Sequence, residues 1–488
     1  MKNIHEILLD HCQNAPSSIA IRGDKLINYS ELGQLVQRCA NFIDYHVKRP
    51  NNLIGVSVKD DLLELVITLA MSMSGRGFVS LPPAQPQAAR LRLIDAFDIH
   101  EVIHDDQSFH ALCKTSLHLT WQALDTFDDH FTRRTTSTSD SSFIAVTSSG
   151  STGEPKKFIV SHAMLTQRLQ QRVRFFHITD RDCFVRLSSS AYIGSKVRLL
   201  STLYAGGSVI MPAPAPNTIV DLCLTHGATF MSAIVLQVEQ LLATDKRRLA
   251  ELGSRLRVLE LSASHVPQDL RQRILNSFTP NIYITYSTNE SGAIAIARPQ
   301  DVLTTPGSVG KPLDNVDVKI LDRYGSELPH LKPGMICVRT SQMIDSYLNS
   351  KQTSQHFRKG YFVTGDVGQS TPEGDLIYLG RFDDMMIVNG VNIYPAEIES
   401  TFKLHPDVLD VKVTALRHKI HQHLPICAVV LKPESSATAA MLLDYGYKQL
   451  GNRAPRKVVI LDSLPRNDLG KVSHELLLKK LHERTTNV

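Results

Sequence analysis

The chain has 488 residues, a formal net charge of +5, and 42% hydrophobic against 21% charged residues, a soluble globular profile too long for one ordinary core, so two or three domains are expected. Near-balanced charge gives no reason to expect nucleic acid as a partner, and no apolar run approaches the ~20 residues needed to span a bilayer. The first residues, Met1-Lys2-Asn3-Ile4-His5-Glu6, lack an apolar h-region and a cleavage site, which predicts a cytoplasmic protein.

Near the N-terminus, Ser30 is placed to cap a helix carrying Leu32, Leu35, Val36, Cys39 and Phe42 at helical spacing. Residues 53–58 read as a strand, 61–73 as a helix that Gly75 ends, and 78–81 as the next strand. Strand, helix, strand implies parallel pairing and an α/β domain, whose ligands gather at the carboxyl ends of strands. A polar, Ser/Thr-rich loop at 133–142 then leads to the strand 143–146. Trp121 and the pair Phe175-Phe176 read as packing. Seven scattered cysteines with no CxxC pair predict reduced thiols.

After that strand comes Ser148-Ser149-Gly150-Ser151-Thr152-Gly153-Glu154-Pro155-Lys156. Glycines let the backbone turn and aim N–H groups at an anion, hydroxyls add donors, and the lysine brings a compact positive charge, so the stretch suits phosphate binding. The GxxxxGK[ST] pattern is not matched, which argues against a kinase or GTPase loop. An ordinary Ser/Gly linker is the alternative reading.

Four more polar clusters follow. Tyr286-Ser287-Thr288-Asn289-Glu290 sits at the end of a strand read over 283–286 and offers an aromatic face, hydroxyls and a carboxylate. Tyr361-Phe362-Val363-Thr364-Gly365-Asp366 is laid out likewise, with Asp366 able to accept both hydroxyls of a ribose. Gly380-Arg381-Phe382-Asp383-Asp384 opens a charged turn, with Gly390 and Pro395 beyond it, and Pro465-Arg466-Asn467-Asp468-Leu469-Gly470-Lys471 sets a lysine on a glycine-bent loop. Taken singly, such residues are more often solvated: Glu290 or Asp366 as a strand-end carboxylate, Lys471 as a surface lysine. His418, His421 and His423 read as a polar turn and not a metal site, and the clusters Arg453-Arg456-Lys457 and Lys479-Lys480 as solvated faces, or docking points for an acidic carrier protein or CoA phosphates.

In order and spacing these motifs resemble the adenylate-forming superfamily of acyl-CoA synthetases, peptide-synthetase adenylation domains and luciferases. The resemblance covers nearly the whole chain. It implies an N-terminal α/β domain of layered sheets and helices over residues 1–382 and a small, mobile α+β domain over 383–488, with the active site between them. It implies that ATP activates a carboxylic acid as an acyl-adenylate with release of pyrophosphate, and that a thiol, from CoA or carrier-protein phosphopantetheine, takes the acyl group. Ser149, Gly150, Ser151, Thr152, Gly153 and Lys156 would hold the β- and γ-phosphates. Ser287 and Asn289 would also face the nucleotide, Glu290 would bind Mg²⁺, Asp366 and Arg381 the ribose, and Tyr286 the adenine. Lys471 would bridge the carboxylate and the α-phosphate. Asp383 would be the hinge, and Gly390 would border the thiol tunnel.

Departures from the family pattern bear on activity and substrate. Ser287 replaces a glycine, Asn289 replaces a threonine whose donor role an amide can keep, and the usually glycine-rich adenine segment reads Leu261-Ser262-Ala263-Ser264-His265, with Ser264 offering its backbone to the base. In Ser190-Ala191-Tyr192-Ile193-Gly194-Ser195, where amino-acid-activating members carry an aspartate, no acid stands, so Tyr192, Ile193 and Gly194 are expected to border an aryl or alkyl acid. An unpaired ammonium in a pocket is costly. Residues 472–488 hold no carrier domain, so any carrier protein would be a separate chain. Two other readings stay open: an adenylation protein loading a separate carrier, and a nucleotide-binding regulator with little turnover.

Overall fold

The computed structural model describes residues 2–47, 52–106, 115–127, 141–148, 156–187, 189, 192–211, 219–262, 266–305, 307–382, 386–388, 391–393, 395–418, 422–466 and 472–485. Ser149 to Gly153, Ser264, Asp383, Gly390 and Lys471 therefore lie outside the described residues, as do the loop 133–140 and His421.

Among the described residues the strands form five sheets. The largest has nine strands, and its centre is parallel: Ile19–Arg22, Ser208–Ile210, Cys183–Arg186, Phe230–Ala233, Val258–Leu261 and Ile282–Thr288 run side by side. Phe230–Ala233 and Val258–Leu261 are buried at every position, as strands covered on both faces must be. A second sheet of six strands contains Ile54–Ser57 and Phe78–Ser80 in parallel, the arrangement that strand–helix–strand patterning implies. It ends in the antiparallel hairpin Ser142–Ser148 with Lys156–Ser161.

Helices pack against both large sheets. Asp61–Met73 matches the sequence reading at both ends: the Asp60 carboxylate accepts from Leu63 N–H, and Gly75 follows the last turn at φ +64°. Nearly every residue of that helix is buried, so it is apolar all round. The helix expected near Ser30 spans Tyr29–His46, and its cap is Asn28. The Asn28 side chain accepts from Glu31 N–H while Glu31 reaches back to Asn28 N–H. Ser30 lies inside the first turn, because this reciprocal pairing satisfies two donors where Ser30 would satisfy one.

A third, five-stranded antiparallel sheet includes Gly334–Thr340, Tyr361–Ser370 and Leu376–Arg381. It joins the nine-stranded sheet where Val309 N–H donates to Leu376 O and Leu376 N–H to Gly310 O, both at 2.9 Å. One hydrophobic core runs through all three sheets, from Ile4 to Leu376. Beyond Met386 a smaller α+β domain has two apolar clusters of its own. It is built on the hairpin Val408–His418 and Gln422–Leu431, the parallel strand Lys457–Ile460, and the helices Pro395–Lys403, Ala439–Leu450 and His474–Thr485. The protein is thus a large α/β domain followed by a small α+β one. Among the described residues no helix is long and apolar enough to cross a membrane, and the described cysteines are free.

Candidate active site

Three chain segments far apart in sequence meet at the edge where the nine-stranded and antiparallel sheets join. Tyr286 lies within the strand Ile282–Thr288, which runs two residues further than the sequence pattern marks. Asp366 sits in the middle of Tyr361–Ser370, not past a strand end, and its cross-strand neighbour is Arg381, the last residue of Leu376–Arg381. The Tyr286 hydroxyl donates to Asp366 Oδ2 at 2.6 Å, and Arg381 Nη1 donates to Asp366 Oδ1 at 3.0 Å and to Thr364 O at 3.2 Å.

Gly365 makes the guanidinium's approach possible. Its φ is +77°, and a Cβ there would stand 3.0 Å from Arg381 Nη2. A side chain at this position would meet both a left-handed backbone and the guanidinium. Asp366 is only 5% exposed. Burial pushes its carboxyl above the usual range, and Arg381 and Tyr286 pull the other way without cancelling that shift. Burial, with the neighbouring Asp366 charge, holds the Tyr286 phenol well above its ordinary value, so it stays a donor. A carboxylate offers about four lone-pair sites. Tyr286 and Arg381 take one on each oxygen of Asp366, leaving one on each for a vicinal diol.

Glu290 closes the turn after Thr288 and is buried, whereas Ser287 and Asn289 are exposed. The turn is held by residues that carry no motif. Arg168, on the helix His162–Phe176, donates from Nη1 to Asn289 O at 3.1 Å, from Nη2 to Glu290 O at 2.9 Å and from Nε to Gln342 O at 3.2 Å. Burial lowers the Arg168 guanidinium to about 10. Gly292, at φ +77°, leaves room for it, since a Cβ there would lie 3.2 Å from Arg168 Nε.

The segment 342–348 ties this turn to the hairpin of the six-stranded sheet. Ile344 N–H donates to Glu290 O at 3.0 Å, the Tyr347 hydroxyl donates to Glu290 Oε1 at 2.9 Å, and Leu348 N–H donates to Lys157 O at 2.7 Å. Burial and the Glu290 charge raise the Tyr347 phenol. Lys156 Nζ lies 5.8 Å from the centre of the Tyr347 ring. One tyrosine therefore spans the first residue after the Ser/Gly loop and the carboxylate singled out for a metal. A hard carboxylate fits the donor chemistry of Mg²⁺, whose remaining positions phosphate oxygens and water would fill.

Tyr192 caps the helix Ile193–Tyr204, following the parallel strand Cys183–Arg186. Ile193 is in the hydrophobic core at 5% exposure, and a Cβ on Gly194 would lie 2.9 Å from Arg198 Nη1. The structure thus gathers Lys156, Tyr286, Asn289, Glu290, Asp366 and Arg381 around one edge, and adds Arg168 and Tyr347. Arg168 left a trace in the sequence: it stands between Leu165 and Leu169 and one turn before Arg172, on the buried face of its helix. Tyr347 left none.

Comparison with known proteins gives this edge a lineage. The AMP-binding enzyme family model matches residues 8–348, and the AMP-binding enzyme C-terminal domain model matches residues 397–471. A 2-succinylbenzoate--CoA ligase of Geobacillus kaustophilus is 28% identical over 346 residues, 69% of this chain and 69% of that protein. An indoleacetate--CoA ligase of Aromatoleum aromaticum is 28% identical over 328 residues, 66% of this chain and 64% of that protein. The crystal structure of ATP-bound MatB from Rhodopseudomonas palustris aligns over 98% of both chains with a TM-score of 0.89 at 25% identity. With its first model alone matching residues 8–348 of 488, the chain belongs to the AMP-binding enzyme family.

Proposed function

We infer that this enzyme is an acyl-adenylate-forming acid–thiol ligase that uses ATP and Mg²⁺ and passes an aryl or alkyl acyl group to CoA. The observation that carries the reading is Asp366, held between Tyr286 and Arg381 with one lone pair left on each oxygen. That is the acceptor pair a ribose diol needs. A naming of two relatives as CoA ligases supports the thiol.

In the first step a substrate carboxylate oxygen bonds to the α-phosphorus of ATP. The bond from that phosphorus to the bridging oxygen breaks, and pyrophosphate leaves with the electron pair. In the second, a thiolate sulfur bonds to the acyl carbon, AMP leaves, and the thiol proton passes to solvent. Lys156 and the Ser149–Gly153 hydroxyls and backbone would hold the β- and γ-phosphates. Asp366 and Arg381 would hold the ribose and the Tyr286 ring would lie against the adenine, with Ser264 assigned to the base by the family pattern alone. Glu290 would hold Mg²⁺, which when bound neutralises charge on the phosphates. Fixing two anions together and stabilising the charge that develops is where the rate comes from.

The small domain, from about residue 383, would turn about Asp383, so that Lys471 serves adenylation and the Gly390 region serves the thiol. ATP–pyrophosphate exchange across a carboxylic-acid panel tests the reading. Exchange that requires one acid and Mg²⁺ supports it; no exchange across a broad panel, with ATP still bound, would leave a nucleotide-binding regulator. Lys471→Ala is expected to abolish adenylation yet spare thioester formation from synthetic acyl-adenylate. Asp383→Pro is expected to impair one half-reaction more than the other, since proline fixes φ. Acyl transfer to a carrier protein in place of CoA would reassign the acceptor.

A further inference from the structure

A buried cluster of charges joins the helices His162–Phe176 and Ile193–Tyr204 to the central strand Val258–Leu261. Glu260, on the central strand Val258–Leu261, is 0% exposed. Its carboxylate accepts from Arg172 Nη1 at 2.9 Å and Thr285 Oγ1 at 2.8 Å on Oε1, and from Arg172 Nη2 at 2.8 Å and Arg198 Nε at 3.0 Å on Oε2. Burial alone would raise this carboxyl, but the two guanidiniums outweigh it and hold it at about 2. Four donors fill its lone pairs. Glu260 therefore has nothing left to offer a substrate ammonium.

The balance of the cluster is positive. Two guanidiniums face one carboxylate, leaving one uncompensated positive charge in a low-dielectric site, where an unpaired charge is costly. The arginines differ in reach. Arg172 spends both Nη atoms on Glu260 and stacks against Phe176 at 4.9 Å, with its side chain 5% exposed. Arg198 is 14% exposed, uses Nε on Glu260 and donates from Nη2 to Ser262 Oγ at 2.7 Å. Among the described residues nothing accepts from Arg198 Nη1, the atom beside Gly194. Ser262 follows the carboxyl end of the parallel strand Val258–Leu261, the side on which ligands of such sheets bind, and Gly194 lies in the first turn of the helix that follows the strand Cys183–Arg186. Glycine at 194 keeps that atom open.

We propose that Arg198 is a specificity residue that receives a second anionic group of the substrate, so that the preferred acids are dicarboxylic, with the carboxylate remote from the reacting one paired to Arg198 Nη1. This rests on the acid-activating reading above. The distal carboxylate supplies the charge the cluster lacks, in a charge-assisted bond to a guanidinium whose remaining donors are already fixed.

The test is pyrophosphate exchange with the full-length enzyme, using α,ω-dicarboxylic acids of three to eight carbons and phthalic-type aryl diacids, each paired with its monomethyl ester. The wild-type enzyme is expected to favour the best diacid over its ester by at least ~10-fold in kcat/KM, as the loss of one charge-assisted bond implies. In Arg198→Met, which leaves Glu260 its two bonds from Arg172, the diacid is expected to lose roughly 10- to 100-fold while the ester changes little. Arg198→Lys should recover part of the preference. Robust exchange in which esters match or beat their diacids, or an equal loss for both in Arg198→Met, overturns this inference and leaves the ligase reading intact. If Arg198→Met fails to fold, the wild-type ratio alone decides. Absence of exchange with every acid, by contrast, removes the ligase reading itself.

Discussion

The Tyr286 hydroxyl and Asp366 Oδ2, 80 residues apart, are 2.6 Å from one another. One lies on a strand of the nine-stranded sheet and the other on the antiparallel sheet, so a single hydrogen bond crosses the seam between two sheets. It fixes the Asp366 carboxylate relative to the Tyr286 ring.

Burial raises the Asp366 carboxyl, so a function that needs the carboxylate and the stability of the fold are opposed at this position. Because its folded value is raised, ionisation at neutral pH costs the fold stability, a cost that appears as pH rises through the folded value. Asp366→Asn removes that cost and keeps one acceptor. ATP affinity, followed by calorimetry, is expected to fall roughly 10- to 100-fold, as weakened charge-assisted hydrogen bonds imply. The apo melting temperature should hold or rise, and a marked fall in melting with ATP affinity unchanged would contradict this account.

Removing the Glu290 charge should act on rate and metal dependence, not on folding. Glu290→Gln retains an acceptor for Tyr347, and exchange is expected to drop about 10²-fold or more, in line with losing one preorganised electrostatic contact. Tyr347→Phe should raise the Mg²⁺ concentration needed for half-maximal exchange, because Glu290 then loses the hydroxyl that orients Oε1. Mg²⁺ titrations of both variants check the pair.

Arg168 serves three carbonyls at once, those of Asn289, Glu290 and Gln342. Arg168→Met takes this donor from Asn289 O and Gln342 O, while Glu290 O keeps Ile344 N–H, at about 1–3 kcal/mol for each buried acceptor left unsatisfied. Denaturant unfolding is expected to show a loss of several kcal/mol, with Arg168→Lys intermediate because an ammonium lacks the planar fork. A variant of wild-type stability would show that the turn holds itself.

His162 gives the fold a pH dependence of its own. Stacked on Phe143 at 4.2 Å and 1% exposed, it is driven down to about 4 by burial, with a smaller contribution from His5. The unfolded chain binds the proton near 6.5 and the folded one near 4, so stability is full above 6.5 and declines as pH falls between those values. The decline attributable to this residue is roughly 3 kcal/mol. His162→Phe should flatten the stability profile between pH 6.5 and 4 relative to wild type, and identical slopes would rule the assignment out.

Local signals made much of this architecture legible. The helix Asp61–Met73 is punctuated at both ends by Asp60 and Gly75, and the strands around it follow from their apolar runs. At the N-terminus the same logic points to Ser30, whereas the cap is Asn28, because a capping box is two coupled bonds and Asn28 with Glu31 supplies both. The chemistry-bearing residues Tyr286, Glu290, Asp366 and Arg381 were legible because each sits in a compact polar cluster. Their mutual contacts were not, since Asp366 meets Arg381 only through strand register and Tyr286 only through sheet docking. Through their side-chain hydrogen bonds Arg168, Tyr347 and the Arg172–Glu260–Arg198 cluster reach partners 57 or more residues away, except for the 25-residue link from Thr285 to Glu260. Such pairings are a property of the assembled fold, and nothing in their own neighbourhoods announces them.

The hairpin ladder pairs Ser148 with Lys156 and continues to Ser142 with Ser161. The seven residues between Ser148 and Lys156 thus span a gap whose ends are already joined. Closing a chain of that length carries an entropy that varies only with the logarithm of its length, about 0.6 kcal/mol per doubling. A longer connection between these two paired residues would cost the hairpin little, so variants lengthened there can be compared for nucleotide use at a nearly constant melting temperature.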